Sequence, residues 1–489
     1  MSSFSHANSK KCLRLLYHRA ASTLVRRIVT TTTLAAAVLT KGAHATAQDI
    51  VPQPSPICPN HLIIAIVLLC VAVTLYLARR PRTVYLVDYA CFQPNTNFRF
   101  PKTTFLEHAH LSPLVDDSTV NFLDRVLERS GMSDETCLPP ERLYIEPYNK
   151  FDEERAEAEL VVFSVVDDLL AKTSINRDAI RVLITNCTVF CPEPSMADVI
   201  VNRYKLRGDL RVMNLSGMGC CTSLTAVGLA RNILQCMPCG SHALVVSAET
   251  IGPCYYAGNK PSMQLVNVLF RMGGAAKLLS TTRSKARFRL ASVMRITTAA
   301  NNSAYRCVYQ EEDERGNRGV ALSKDLMAVA GEALKANITA SNPLVLPVSE
   351  LLKFFPFFLA KKVLHWSIIR PYKPNFRVAF ENFCIHVGGP AVISSVQHGL
   401  KLSDEDMEPS RMTLHRFGNQ STASVWYELA YIEAKGRMKR GNRVWMIGFG
   451  AGYECNTVGW VCIRPSSSSA DGPWASCIHR YPVDFSQKV

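Results

Sequence analysis

An α/β layered core, built from two related halves behind an N-terminal membrane anchor, is the architecture this sequence predicts. Three observations carry the prediction. His61 to Ala78, HLIIAIVLLCVAVTLYLA, holds no formal charge apart from one possible on His61 and ends at Arg79-Arg80-Pro81-Arg82. Beyond it, strand-like and helix-like segments alternate, as they do in layered α/β cores. The second half echoes the alternation of the first with no short repeat period, which excludes a solenoid.

The elements follow in order. His61 to Ala78 is about as long as a bilayer is thick and reads as transmembrane. Ile28 to Thr40 is shorter and threonine-rich. It is the first arm of a membrane hairpin, a signal-like run before Ala43 to Ala47, or part of an acid-poor targeting peptide. A hairpin places both basic flanks on the cytosolic side. Val84 to Cys91 reads as a strand. Residues 101–150 are polar, proline-bearing and without clear periodicity. A helix is expected over 154–172, a strand over Arg181 to Val189, a Pro-Glu-Pro turn, and a strand-like lead-in at RVMNL. Further strands follow at Ala243 to Ala248 and in MGGAAKLLS. In the second half Arg377 to His386 is strand-like, Ser424 to Arg437 helical, and Arg443 to Arg464 holds two strands around GFGAGYECN. Leu344 to Trp366 lies between the halves; it is either a buried core helix or an interfacial lid beside a lipid tunnel.

Composition narrows the function. The chain has 489 residues, 48% of them hydrophobic and 19% charged, with a formal charge of +15. Much of the positive excess flanks the apolar runs, and no basic-aromatic or zinc-finger pattern accompanies it, so a membrane surface fits better than nucleic acid. The 17 cysteines show no regular framework, which in a chain this long suggests a reducing, cytosol-facing domain.

The chain is organised around NLSGMGCCTSLTAVGLARNIL, Asn214 to Leu234. A strand, a glycine turn and a helix with Leu224, Val227, Ala230, Ile233 and Leu234 on one face place a thiol at the helix start. Thr222 and Ser223 are the expected helix starters. A helix N-terminus favours thiolate; the alternative is a buried, inert cysteine at an ordinary turn. Two further glycine-flanked places hold reactive side chains, His386 in CIHVGGP and His415 to Asn419 in HRFGNQS. A Cys–His–Asn set has a definite use. The thiolate attacks a thioester carbonyl and holds the acyl group. A neutral imidazole Nε2–H and the Asn amide donate to a second thioester oxygen as malonyl loses carbon dioxide. The Gly448-Phe449-Gly450 turn is expected to add backbone donors for the acyl-enzyme step.

These blocks resemble the plant 3-ketoacyl-CoA synthases, the condensing enzymes of very-long-chain fatty acid elongation. The resemblance rests on VYLVDYACFQP, NLSGMGCC, LFRMGGAA, YRCVYQEEDERGNRGVALSKDLMAVAGEALKANIT, FCIHVGGPAVI and LHRFGNQSTASVWYELAYIEAKGRMKRGNRVW, over roughly 84 to 482. It implies a thiolase-like, duplicated, five-layer α/β fold. Residues 1–83 would be an anchor with one or two transmembrane helices, 84–340 the half carrying the nucleophile, and 341–489 the half carrying His and Asn. The family's catalytic residues fall on Cys220, His386 and Asn419, with His415 retained beside them; GFGAG matches the loop near the acyl carbonyl. Long-chain acyl-CoA and malonyl-CoA are the implied substrates, with no cofactor and no metal. The membrane, other elongase enzymes and a homo- or heterodimer are the implied partners. The implied location is the endoplasmic reticulum membrane, with the catalytic domain facing the cytosol.

The departures are specific. The family's GMGCSAG is replaced after the nucleophile by Cys221, Thr222 and Ser223, and Cys221 stands as a second candidate thiol. Two histidines usual in the family are replaced by Thr297 and Asn382. The losses keep a second reading open, a weak or non-catalytic subunit that pairs with active synthases. A soluble polyketide synthase shares the triad and is disfavoured by the apolar run.

Overall fold

The computed structural model describes residues 66, 68–71, 73, 81–145, 150–353, 374–466 and 472–484. It divides into two compact units, Met1–Arg82 and Thr83–Val489. Of His61 to Ala78 only residues 66, 68–71 and 73 are described, and these are helical. The rest of that run, all of Ile28 to Thr40 and residues 354–366 lie outside the described residues. Among the described residues no helix is long and apolar enough to cross a membrane.

In the second unit, strands and helices alternate as the pattern predicts: β1 (Tyr85–Cys91), α1 (Lys102–Leu111), α2 (Asp117–Arg129), α3 (Phe151–Thr173), β2 (Ile180–Asn186), α4 (Met196–Tyr204), β3 (Arg211–Leu215), α5 (Thr222–Gln235), β4 (His242–Glu249), α6 (Pro261–Leu269), β5 (Gly273–Ser280) and β6 (Phe288–Thr297). A small hairpin, β7 (Val308–Glu312) and β8 (Arg318–Leu322), precedes α7 (Leu326–Val345). Then come β9 (Asn382–Ile385), α8 (Pro390–Leu400), α9 (Asp404–Phe417), α10 (Ser424–Ala434), β10 (Arg443–Gly450) and β11 (Glu454–Cys462).

The large sheet runs β3-β2-β4-β5-β1-β6-β11-β10-β9. β2 is parallel to β4, and β5 is antiparallel to both β4 and β1. In the same sense β9 is parallel to β10, and β11 is antiparallel to both β10 and β6. The two sets, β2-β4-β5-β1 and β9-β10-β11-β6, therefore share one order and one set of directions. They meet where Tyr85 and Leu86 pair with Arg289 and Phe288. α3 covers β1, β4 and β5, and α7 covers β6 and β11. α5 touches strands of both sets, which its composition permits: Leu224, Ala226, Val227, Ala230 and Leu234 are all buried. At Gly228 a Cβ would stand 3.0 Å from Val293 Cγ1, so the small residue lets α5 close on β6.

Two local expectations change. Residues 101–150 hold α1 and α2. The Asp116 side chain caps α2 by accepting the Thr119 N–H at 2.8 Å, and Leu123 and Leu127 are buried at four-residue spacing. This pattern is two turns long and sits among polar residues, so it is faint in sequence. Arg377 to His386 is strand only from Asn382. Phe376 and Phe380 stack on Trp445 at 4.9 and 5.1 Å, which folds the preceding residues into a short turn.

Candidate active site

The nucleophile loop is built as a strand, a glycine turn and a helix. β3 ends at Leu215, and the chain reverses through Gly217 (φ +69°) and Gly219 (φ +72°). It then makes one tight turn over Gly219–Cys221 and enters α5. A side chain at Gly219 is excluded twice: its φ is left-handed, and its Cβ would collide with the Ala451 amide nitrogen. Thr222 does not cap α5 with its side chain; its hydroxyl donates back to the Gly219 carbonyl.

The paired thiols part company here. Cys221 is 0% exposed and lies against β11, where Asn456 Nδ2 donates to its sulfur at 3.1 Å and Glu454 Oε2 stands 3.7 Å away. Cys220 is half-buried and turns toward Ser421.

Ser421 is the node that joins the three sequence-predicted residues. Its turn packs against the turn that carries Cys220, and its hydroxyl meets Thr188 Oγ1 at 3.3 Å. Its N–H donates to Asn419 Oδ1 at 2.8 Å. Its carbonyl accepts the Ser424 hydroxyl at 2.8 Å, and Ser424 Oγ meets His386 Nδ1 at 3.1 Å. Ser421 adopts φ +49°, a costly conformation for a non-glycine residue. His386 and Asn419 are 4% and 1% exposed.

Hydrogen-bond accounting fixes two orientations. Ser424 has one proton and gives it to a carbonyl, so it accepts from His386 Nδ1–H. The neutral imidazole therefore presents a lone pair at Nε2. This corrects the expectation of a neutral Nε2–H donor. Gly388 keeps that edge open, since a Cβ there would stand 3.3 Å from Nε2. At Asn419 the carbonyl end is held by Ser421, which leaves the Nδ2 end as the donor.

Burial works against the thiolate that the helix start favours. Burial pushes the Cys220 thiol up to about 12, and Ser421 offsets only part of that. Glu249 sits behind the same serine, bound by the Thr188 hydroxyl at 2.6 Å and raised by burial to about 7. Burial lowers His386 from 6.5 to about 4. Between those two pH values the unfolded chain takes a proton that the folded site refuses, so stability falls as pH drops. The loss is about 3 kcal/mol when complete. His386→Gln removes this contribution. From about pH 7 to about pH 4 the variant's melting midpoint should fall less than that of the wild type. Equal falls in calorimetry would show an imidazole open to solvent.

The remaining predicted positions are placed as follows. Gly448, Phe449 and Gly450 are not a turn; they are the last rungs of β10, paired with Asn456, Cys455 and Glu454. The turn begins at Ala451, and it is the Ala451 N–H that borders Gly219. The two glycines serve close approach: a Cβ on Gly448 would stand 3.2 Å from the Cys221 Cα, and one on Gly450 2.5 Å from its sulfur. His415 Nδ1 meets the Tyr481 hydroxyl at 3.2 Å, and its carbonyl accepts the Ser133 N–H. Its ring thus ties α9 to the C-terminal segment. Asn382 opens β9, four residues and about 13 Å of strand before His386. Thr297 ends β6, exposed, opposite Glu454. Neither lost histidine position adjoins His386 along its strand. Ser421, Ser424, Thr188 and Glu249 were not anticipated from sequence. The one available signal was the hydroxyl run in NQSTAS leading into an apolar helix.

Residues 76–363 match the model for FAE1/Type III polyketide synthase-like proteins. Residues 380–461 match that for the C-terminal part of 3-oxoacyl-[acyl-carrier-protein] synthase III. The chain is 50% identical over 421 residues to 3-ketoacyl-CoA synthase 6 of Arabidopsis thaliana, covering 85% of this chain and 84% of that one. It belongs to the 3-ketoacyl-CoA synthase family. Similarity to 3-ketoacyl-CoA synthase 5 of the same plant is 49% over 434 residues, 88% of this chain and 87% of the relative. Two solved structures share the fold. The type III polyketide synthase domain of Steely1 from Dictyostelium aligns with TM-score 0.60 at 15% identity, over 78% of this chain and 99% of its own. A polyketide synthase of the brown alga Ectocarpus siliculosus aligns with TM-score 0.58 at 17% identity, over 79% and 100%. The mixed α/β thiolase-like fold is thus shared well beyond the range of sequence similarity.

Proposed function

We infer that this chain is an acyltransferase that condenses malonyl-CoA with a long-chain acyl group, releasing carbon dioxide and giving a 3-ketoacyl-CoA two carbons longer. The observation that carries the assignment of roles is the Ser421 turn, which bonds to Asn419, reaches His386 through Ser424 and packs against the turn carrying Cys220, in a chain of this family.

The first half-reaction begins when His386 Nε2 takes the Cys220 proton. The sulfur attacks the acyl-CoA carbonyl, the C–S bond to CoA breaks, and CoA leaves as its thiolate. His386, still protonated at both nitrogens, now presents an Nε2–H. Malonyl-CoA enters, and its thioester oxygen accepts from Nε2–H and from Asn419 Nδ2. Loss of carbon dioxide leaves an enolate whose charge those two donors meet. The enolate carbon attacks the acyl-Cys220 carbonyl, and Cys220 leaves as thiolate beside the imidazolium, which closes the proton balance. The imidazole resists a charge in the empty site. It holds one only while an anion lies beside it: the Cys220 thiolate, then the departing CoA thiolate, then the malonyl group that replaces it. The Ala451 N–H, which borders Gly219 in the nucleophile loop, is the candidate donor to the acyl oxygen. Acyl-CoA and malonyl-CoA are thus the substrates, and these side chains account for each step.

The same reading anchors the chain through residues 1–83 in the endoplasmic reticulum membrane, with the rest of the chain facing the cytosol. The uncharged run at His61 to Ala78 and the arginines that follow it support that placement. Partnership with the other elongation enzymes and dimerisation follow from the family. A non-catalytic subunit is disfavoured, because the replaced histidines leave the Ser421 node complete.

The test is acyl transfer. The detergent-purified full chain, given labelled stearoyl-CoA or longer acyl-CoA, should carry the acyl group on Cys220, located by peptide mass. Malonyl-CoA should then release it as a longer ketoacyl product. No label at any chain length, beside an active relative as control, would sink the assignment.

A further inference from the structure

We propose that Arg271 is a positioning residue for Asn419, holding its amide in register for the malonyl half-reaction; the proposal rests on the role assigned to Asn419 above. Arg271 follows α6 in LFRMGGAA and is 2% exposed. Among the described residues its side chain bonds to no carboxylate that would explain so buried a cation. Nη1 instead donates to the main-chain carbonyls of Asn267, Val268 and Phe270 at 3.3, 2.8 and 2.7 Å, and Nε donates to Thr136 Oγ1 at 3.1 Å. Burial lowers its pKa only to about 10, so the guanidinium stays charged at neutral pH. A cation buried without an acidic partner is costly. What it does here is close the C-terminal turn of α6, where carbonyls lack helical partners and the dipole favours positive charge.

That turn is the rail on which Asn419 sits. The Asn419 N–H donates to Leu269 O at 3.0 Å, and the Arg271 N–H donates to Asn419 O at 3.0 Å. Phe270 and Asn419 thereby form a parallel bridge. The stem of Arg271 reaches the preceding residue as well. Gly418 has φ +72°, and a Cβ there would collide with Arg271 Cγ and stand 3.2 Å from Arg271 Cβ. One residue thus fixes the backbone on both sides of Asn419 and requires glycine before it. Asn419 Oδ1 is already held by Ser421, so the direction of Nδ2 depends on where this backbone lies. A displacement of an ångström in a reacting group costs about 100-fold in rate.

A residue that only stabilised the fold would weaken both half-reactions together. A positioning residue for Asn419 should separate them, because acyl transfer uses Cys220 and His386. The experiment uses the full-length protein in detergent. Arg271→Lys loses the guanidinium fork, Gly418→Ala pushes a methyl into the arginine stem, and Thr136→Val removes one acceptor as a mild variant. Asn419→Asp is the reference. Two quantities are measured, transfer of a labelled acyl group to Cys220 and release of labelled carbon dioxide from malonyl-CoA by the acylated protein, with the melting midpoint as control. Arg271→Lys and Gly418→Ala should release carbon dioxide about 10- to 100-fold more slowly while acyl transfer changes by less than about threefold; Thr136→Val should fall between them and wild type. Equal losses in both half-reactions, or none in either, would overturn the proposal while leaving the role of Asn419 intact. Full carbon dioxide release by Asn419→Asp would overturn that role, and the proposal with it.

Discussion

Cys220→Ala should lose acyl transfer altogether and drop condensation by about 10⁴-fold or more, to the background of malonyl-CoA turnover. No other group can accept the acyl chain in its place. The neighbouring thiol is the obvious substitute, and its surroundings rule it out. Cys221 is fully buried against β11, receives a hydrogen bond from Asn456, and is pushed well above the ordinary thiol range by burial and by the Glu454 carboxylate. A thiol so placed is neither ionised nor accessible. Cys221→Ser should therefore keep acyl transfer within about tenfold, because serine is close in size and still accepts from Asn456. Peptide mapping after incubation with labelled acyl-CoA decides between the two cysteines. Label retained in Cys220→Ala and lost in Cys221→Ser would reverse the assignment.

Much of this site is legible in sequence, and the reason is local. Gly217 and Gly219 announce a turn between RVMNL and an apolar helical face, and that is where the nucleophile lies. His386 and Asn419 are likewise marked by the glycines that follow or precede them. What sequence does not carry is who bonds to whom. Ser421 joins three segments separated by as many as about 200 residues, and nothing in NQSTAS says which hydroxyl faces which partner. The tautomer of His386 follows only from the Ser424 proton, which needs the helix start in place. GFGAG looks like a free turn because glycine permits turns, but the ladder to β11 claims its first three residues and displaces the turn to Ala451. Glycine there serves contact with the nucleophile loop, and sequence alone cannot separate those two uses. The ionisation of Cys220 is hidden for a related reason: a helix end is visible in sequence, and the burial that opposes it is not.

Asn419→Asp should leave acyl transfer near wild type and slow malonyl decarboxylation by about 10²- to 10³-fold, the usual cost of removing one donor from a developing oxyanion. The substitution is nearly isosteric, so the Ser421 N–H keeps its acceptor at Oδ1. All of the change then falls on the other end of the side chain, where an N–H donor becomes an oxygen. At neutral pH that oxygen shares a negative charge, and the enolate builds another beside it. Repulsion adds to the lost hydrogen bond, and burial at 1% exposure removes the water that would soften it. The same burial raises the pKa of the new carboxyl, so the defect should ease as the pH falls and the acid becomes a donor again. The pH profile of carbon dioxide release distinguishes this from simple misfolding: an electrostatic defect recovers toward acid and a folding defect does not. Ser421→Ala separates the layers beneath. It keeps the N–H that holds Asn419 and removes the hydroxyl that faces Cys220, so it should slow acyl transfer and spare decarboxylation, the opposite split.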